Sequence, residues 1–247
     1  MTAKPIVHWL GGWVSSLECW DPQLRALYPE FEHRYVDVHE TLDAPRPPFP
    51  AGDGDGKAHL VAAWSLGSLR AHQWMAEGVW PKELPLLSLC PVFRFVQPES
   101  RSAFGESVLL RMEKKLGGER EAVLLDFWRR MPKAAEMPPE WEARWIEASR
   151  RYDDAGVLRA LQYLRLEAVD PTALRSVPDR WELIAGEADR LAPVGAWKDA
   201  LPAHARLHAH GGGHLPFWER PDLVRDALTR LSHSSRSSRL ADGESAA

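Results

Sequence analysis

His59-Leu60-Val61-Ala62-Ala63-Trp64, followed by Ser65-Leu66-Gly67-Ser68, is the stretch that decides the architecture of this chain. An apolar, strand-like run stops at one serine, and the helical spacing of Leu69, His72, Gln73 and Met75 begins at once. A strand that becomes a helix across a single residue forces that residue into a tight, strained turn and presents its side chain at the strand's carboxyl end. Small residues beside the serine, Ala63 and Gly67, let neighbouring segments close on the turn. By itself the pattern fits a reactive serine, and it also fits an ordinary strand-to-helix turn with a capping serine.

Outward from that turn, short apolar runs alternate with longer helical patterns, the order of a parallel sheet covered by helices on both faces. Strands are expected at residues 6–10, 34–38, 59–64, 84–89, 181–185 and 205–209, and Trp20, Leu24, Leu27 and Tyr28 have helical spacing. Residues 41–57 carry too many prolines and glycines for regular structure and read as a surface loop. Residues 100–168 show helical periodicity without a convincing strand; Pro132, Pro138 and Pro139 divide them into about four short helices. An all-helical insertion between strands of a parallel sheet is expected to lie as a lid over the carboxyl edge, where such sheets bind ligands. The expected organisation is a core of residues 1–99 and 169–231, a helical lid at 100–168, and a polar, aperiodic tail at 232–247 without order.

The 247 residues are 45% hydrophobic and 27% charged, enough for one sizeable core. A formal charge of −4 with both signs interspersed gives no basic excess for nucleic acid or an anionic membrane surface. No apolar run approaches the roughly 18 to 20 residues that span a bilayer, and the N-terminus runs into the first strand without a secretory signal pattern. Cys19 and Cys90 are too few for a disulfide framework and lack a metal-binding spacing. A monomeric, cytoplasmic protein is expected. The twelve tryptophans have two uses open to them, filling the space between sheet and lid or lining a pocket.

A serine hydroxyl is a weak nucleophile, so acyl transfer needs a base within reach, a group that orients the base, and donors for the developing oxyanion. Leu183-Ile184-Ala185-Gly186-Glu187-Ala188-Asp189 places an aspartate just past a strand, where it would orient a base; capping a helix near Pro193 is its other use. Glu187 is a weaker candidate for the same role. His214 follows Gly211-Gly212-Gly213, which let a loop bring the ring toward the serine, and the interval from Asp189 fits one helix and one strand. His8, His208 and His210 lie in or just past strands and read as packed or solvated. The amide of Leu66, after the serine, and that of Trp13, after Leu10-Gly11-Gly12, are the candidate oxyanion donors. Chemistry of this kind needs neither a metal nor an organic cofactor.

Together these runs resemble one branch of the α/β-hydrolase superfamily, the biotin-pathway esterases that cleave the methyl ester of pimeloyl-acyl-carrier protein. The resemblance rests on Gly12-Trp13 with Trp20, Trp64-Ser65-Leu66-Gly67, Leu89-Cys90-Pro91-Val92-Phe93, the Gly186 to Asp189 loop, and His214-Leu215-Pro216-Phe217 running to Pro221. The chain departs from that branch at Gly11, where the family has His, at Ala63 and Ser68, where it has Gly, and in lacking residues for the first two antiparallel strands. The resemblance implies an α/β-hydrolase fold with a mostly parallel sheet, a triad of Ser65, Asp189 and His214, oxyanion donors at Trp13 and Leu66, and a carboxylesterase acting through an acyl-serine. It also implies an acyl-carrier protein docked on a basic lid, here Arg111, Lys114, Lys115, Arg120, Arg129 and Arg130, diluted by Glu113, Glu119 and Asp126; a solvated helical face accounts for the same charges. Trp64, Phe127, Arg129 and Arg130 are the candidate substrate contacts. A short-chain carboxylesterase, an acyltransferase and a carbon–carbon bond hydrolase are alternatives on the same triad.

Overall fold

The computed structural model describes residues 3–50, 57–96, 104–131 and 137–243, with side chains as far as His233. Among them is one six-stranded sheet, β1 Ile6–Leu10, β2 Glu32–Val36, β3 His59–Trp64, β4 Leu86–Leu89, β5 Trp181–Gly186 and β6 Arg206–His210. The order is β2-β1-β3-β4-β5-β6 and every neighbouring pair is parallel. The four central strands are buried throughout, which is what a sheet covered on both faces requires. The edge strands β2 and β6 carry the exposed Arg34 and Arg206 and the half-buried Glu32, which suits a sheet rim. This is the α/β-hydrolase fold.

Two strand positions differ from the sequence reading. β2 begins and ends two residues early because Asp37 stops it: its carboxylate accepts the His39 amide at 3.0 Å and caps a short helix, α2 Val38–Thr41. β4 begins at Leu86, since Pro85 has no N–H for the ladder, although its carbonyl still accepts the Val61 amide at 3.0 Å.

Helix α1, Asp21–Leu27, follows the first strand, and α3, Leu66–Ala76, leaves Ser65 and is buried along nearly its whole length. Between β4 and β5 the insertion forms α4 Glu106–Arg130, α5 Pro139–Ser149 and α6 Asp154–Leu166. The four helical segments are present in a different form: α4 is long and kinks at Glu119 (φ −127°, ψ 33°), just after the glycine pair 117–118. Pro138 and Pro139 do not interrupt a helix but start one, with Pro139 in the first turn of α5, and Pro132 lies outside the described residues. The insertion enters and leaves the core at one place, where the Val169 amide donates to the Phe93 carbonyl at 2.7 Å. A partly buried pair, Arg165 Nε to Glu113 Oε1 at 2.6 Å, ties α6 to α4.

A four-residue helix, α7 Pro216–Glu219, leads into α8, Pro221–Gly243, which packs on β3, β4 and β5. The tail expected to lack order is therefore helical as far as Gly243, and residues 244–247 lie outside the described residues. Once a helix is nucleated, each further residue adds a hydrogen bond, and no proline or glycine interrupts before Gly243. Of the loop expected at 41–57, residues 42–50 are turns and bends and 51–56 lie outside the described residues. Eleven of the twelve tryptophans are buried, so their main use is to fill the layers between the sheet, its helices and the inserted helices. No helix among the described residues is long and apolar enough to cross a membrane.

Candidate active site

Parallel strands end on one edge, and that edge gathers the chemistry: Trp13 follows β1, Ser65 follows β3, Asp189 follows β5 and His214 follows β6. Ser65 has φ +54° and ψ −115°, a strained conformation for a residue with a side chain, and its amide is anchored on the Leu89 carbonyl at 3.1 Å. The strain is sustained by close packing. A Cβ at Gly67 would sit 2.6 Å from the carbonyl oxygens of Leu10 and Gly11, so that position takes no side chain. Ala63 stands fully buried in β3 between Leu10 and Ser88, where its methyl is accommodated. Ser68 ties the turn down: its hydroxyl donates to the Ser65 carbonyl at 2.6 Å and accepts the Val92 amide at 2.9 Å.

Nε2 of His214 lies 2.9 Å from Ser65 Oγ, and its Nδ1 lies 2.6 Å from Asp189 Oδ2. All three residues are buried, Ser65 least so at 5% exposure. The other carboxylate oxygen, Oδ1, accepts the amides of Leu191 at 2.9 Å and Ala192 at 3.3 Å. Asp189 thus orders its own loop and also faces the imidazole. Burial alone would raise its pKa, but the His214 ring beside it, the bond from that ring and the two amides outweigh burial and hold the carboxyl below the usual range. An ionised carboxylate fixes the proton on Nδ1 and leaves Nε2 to accept from the serine.

The glycine loop ahead of His214 is pinned, where the sequence suggested freedom. The Gly213 amide donates to Glu219 Oε2 at 2.6 Å, the Gly212 amide to His210 Nδ1 at 3.1 Å, and Trp64 Nε1 to the His214 carbonyl at 2.8 Å. Downstream, the Tyr28 hydroxyl donates to the Phe217 carbonyl at 2.9 Å. His210 is therefore a scaffold for the loop, Glu187 is exposed, and His208 pairs with Glu182 at 2.8 Å on the rim of the sheet. His8 lies 2.9 Å from His59, between neighbouring strands.

The amide of Leu66 opens α3, where no carbonyl four residues earlier in the helix is available to it. Neither that amide nor the Trp13 amide donates to a backbone carbonyl outside its own element among the described residues. Gly12 brings the first loop onto the turn: a Cβ there would lie 2.9 Å from the Trp64 ring and 3.5 Å from Ser65 Cβ. The Trp13 indole donates to the Val157 carbonyl of α6 at 3.2 Å, and its ring meets Phe127 of α4 edge-on at 4.7 Å.

Of the four candidate substrate contacts, Trp64 and Phe127 are buried at the site. Trp64 packs at 5.6 Å from the His214 ring, and Phe127 lies over Trp13. Arg129 and Arg130 are not brought there: both extend into solvent, paired with Glu142 at 3.6 Å and Asp126 at 2.8 Å. Cys90 ends β4 with φ +45°, and its thiol groups with Asp189 and His214 within 4.8 Å. Burial, followed by the Asp189 carboxylate, pushes that thiol well up, so it stays protonated beside the aspartate. Val14, at φ +51°, and His39, whose Nε2 accepts the Val14 amide, carry no signal in the sequence, because the contact joins a loop to a helix 25 residues away.

Solved structures share this architecture. The chain superposes on an esterase from Exiguobacterium antarcticum with TM-score 0.72 and 15% identity over 93% of this chain and 92% of that one. It superposes on a bromoperoxidase from Bacillus anthracis with TM-score 0.69 and 13% identity, again over 93% and 92%. An enol-lactonase from Burkholderia xenovorans LB400 gives 0.65 and 18% identity over the same shares. No protein-family model matches the sequence, and no curated protein does.

Proposed function

We propose that the protein is a serine carboxylesterase that cleaves the methyl ester of pimeloyl-acyl-carrier protein in biotin biosynthesis, as a cytoplasmic monomer. The observation that carries the hydrolytic reading is the continuous chain from Ser65 Oγ through His214 to Asp189 at 2.9 and 2.6 Å, on a strained turn. The serine proton passes to Nε2 as Oγ bonds to the ester carbonyl carbon. The amides of Trp13 and Leu66 receive the oxyanion, each contributing on the order of 3 kcal/mol. Collapse breaks the carbon–oxygen bond to the alcohol, which leaves with the proton from Nε2. Water then gives a proton to Nε2 and attacks the acyl-serine, releasing the acid and restoring Ser65. No step calls for a metal or an organic cofactor. The esterase and the enol-lactonase among the structural neighbours are in keeping with an ester-cleaving role.

The substrate rests on the sequence resemblance. A second reading, a short-chain carboxylesterase without a carrier protein, is favoured by the charges of the lid. Lys115, Arg120, Arg129 and Arg130 are each paired with an acidic neighbour, leaving Arg111 and Lys114 without such a pair among the described residues. Charges already paired steer an acidic partner weakly. Complementation separates the two: a biotin-requiring strain lacking its pimeloyl-ester esterase grows with the wild-type chain and not with Ser65→Ala. Growth with neither, beside turnover of p-nitrophenyl butyrate by the wild type, overturns the pathway role and leaves the general esterase.

A further inference from the structure

Val14 is the strained residue of the loop that carries Trp13. Its φ of +51° is a left-handed conformation that a β-branched residue keeps only when its surroundings hold it. Two hydrogen bonds do so. The Ser15 amide closes the turn on the Gly12 carbonyl at 3.2 Å, and the amide of Val14 donates to His39 Nε2 at 3.1 Å. Because the backbone supplies the hydrogen, Nε2 is the unprotonated nitrogen of that ring.

His39 is itself placed by two layers. From the core, it sits in the first turn of α2 with its amide on the capping carboxylate of Asp37. From the lid, the ring of Tyr152 stacks on it at 4.3 Å and 27°, and Arg159 reaches its carbonyl at 3.5 Å. Arg151, next to Tyr152, bridges back to Asp37 at 3.0 Å and Glu18 at 3.4 Å.

We propose that His39 is a positioning residue for the oxyanion loop, holding the Val14 amide on Nε2 while its ring is clamped by Tyr152, so that seating of the lid sets the aim of the Trp13 amide. The inference rests on the reading of Trp13 as an oxyanion donor. Trp13 then stands between two ties to the lid: its indole on Val157, and the neighbouring Val14 on the His39–Tyr152 stack. A lid that lifts releases both, and the left-handed turn relaxes.

The arrangement needs a neutral imidazole. Burial pushes His39 down to about 4; Asp37 and the Gly156 carbonyl oppose that, and Arg159 and Arg151 reinforce it. Tyr152, the other group on the ring, keeps its proton because burial raises it. The Nε2 lone pair is therefore free to accept at pH 7.

The test compares wild type, H39A and H39Q in turnover of p-nitrophenyl butyrate and in hydrogen exchange of the amides of residues 11–15. In H39A, kcat falls about 10- to 100-fold while KM stays within about threefold, because the lost alignment acts on the oxyanion and not on the bound ester. H39Q, whose Oε1 can accept the Val14 amide, recovers most of kcat, and the exchange of residues 11–15, faster in H39A, returns toward wild type. A merely structural role would lower thermal stability without separating kcat from KM. An H39A kcat within twofold of wild type, or unchanged exchange of the loop, overturns the proposal. If the wild type itself has no esterase turnover, the esterase reading has failed, and loop exchange alone decides on His39.

Discussion

Among the described residues, the hydrogen bonds that place Ser65, Asp189 and His214 come from the sheet and its loops, whereas Trp13 and Val14 take part of their support from the inserted helices and the turn between them. Ser65 hangs from the Leu89 carbonyl, Asp189 from the amides of Leu191 and Ala192, and the His214 carbonyl from the Trp64 indole. Trp13 instead reaches Val157 and Phe127 across the layer boundary, and Val14 reaches His39 under Tyr152. The difference separates two jobs. Under the proposed mechanism, proton transfer belongs to side chains anchored at the strand ends, and oxyanion binding to a loop tied also to the inserted helices, a place where a closing step could complete a site.

Breaking the core half should have the largest effect. Asp189→Asn keeps a side chain of the same shape but removes the charge that fixes the Nδ1 proton, and kcat for p-nitrophenyl butyrate is expected to fall about 10³- to 10⁴-fold with the fold intact by circular dichroism. Turnover within tenfold of wild type would show that the carboxylate only orders its loop.

Breaking the loop half should have a smaller effect. Gly12→Ala puts a methyl 2.9 Å from the buried Trp64 ring, so the loop has to move away from Ser65, and kcat is expected to drop about 10- to 100-fold. Unchanged kcat would mean that the Trp13 amide is not a donor.

The contrast was only half legible in the sequence. The Ser65 turn could be read because strand, serine and helix are adjacent and the strain is a local matter. Asp189 could be read because it follows an apolar run by a few residues, and His214 because three glycines precede it at an interval from Asp189 that fits one helix and one strand. The three glycines before His214 suggested freedom, yet glycine reports what the unfolded chain can adopt and says nothing of the bonds to Glu219 and His210 and from Trp64 that pin the folded loop. His39 was invisible because its partner is fixed by how the loop after β1 meets helix α2. The end of β2 and the kink at Glu119 had signals, Asp37 as a cap and the 117–118 glycine pair, that periodicity alone does not weigh.

The smallest expected effect falls on the core's stability in acid. Burial pushes His72 down to about 3; its Nδ1 faces the Val92 carbonyl at 3.0 Å, its Nε2 the Ser88 hydroxyl at 3.1 Å, and it stacks on Phe93. A ring kept neutral in the fold but titrating near 6.5 when unfolded gives stability that is complete above 6.5 and is lost progressively as pH falls toward 3. His39, at about 4, acts in the same direction within that window. Thermal midpoints should therefore decline from pH 7 to 4, and a flat profile would contradict the neutral, buried state of these rings.

The central claim is that Ser65 is the nucleophile. Incubation of the wild-type protein with diisopropyl fluorophosphate, followed by peptide mass mapping, should show a single adduct on Ser65 with parallel loss of esterase turnover, and Ser65→Ala should show neither adduct nor turnover. An adduct elsewhere, or turnover that survives Ser65→Ala, would contradict the account.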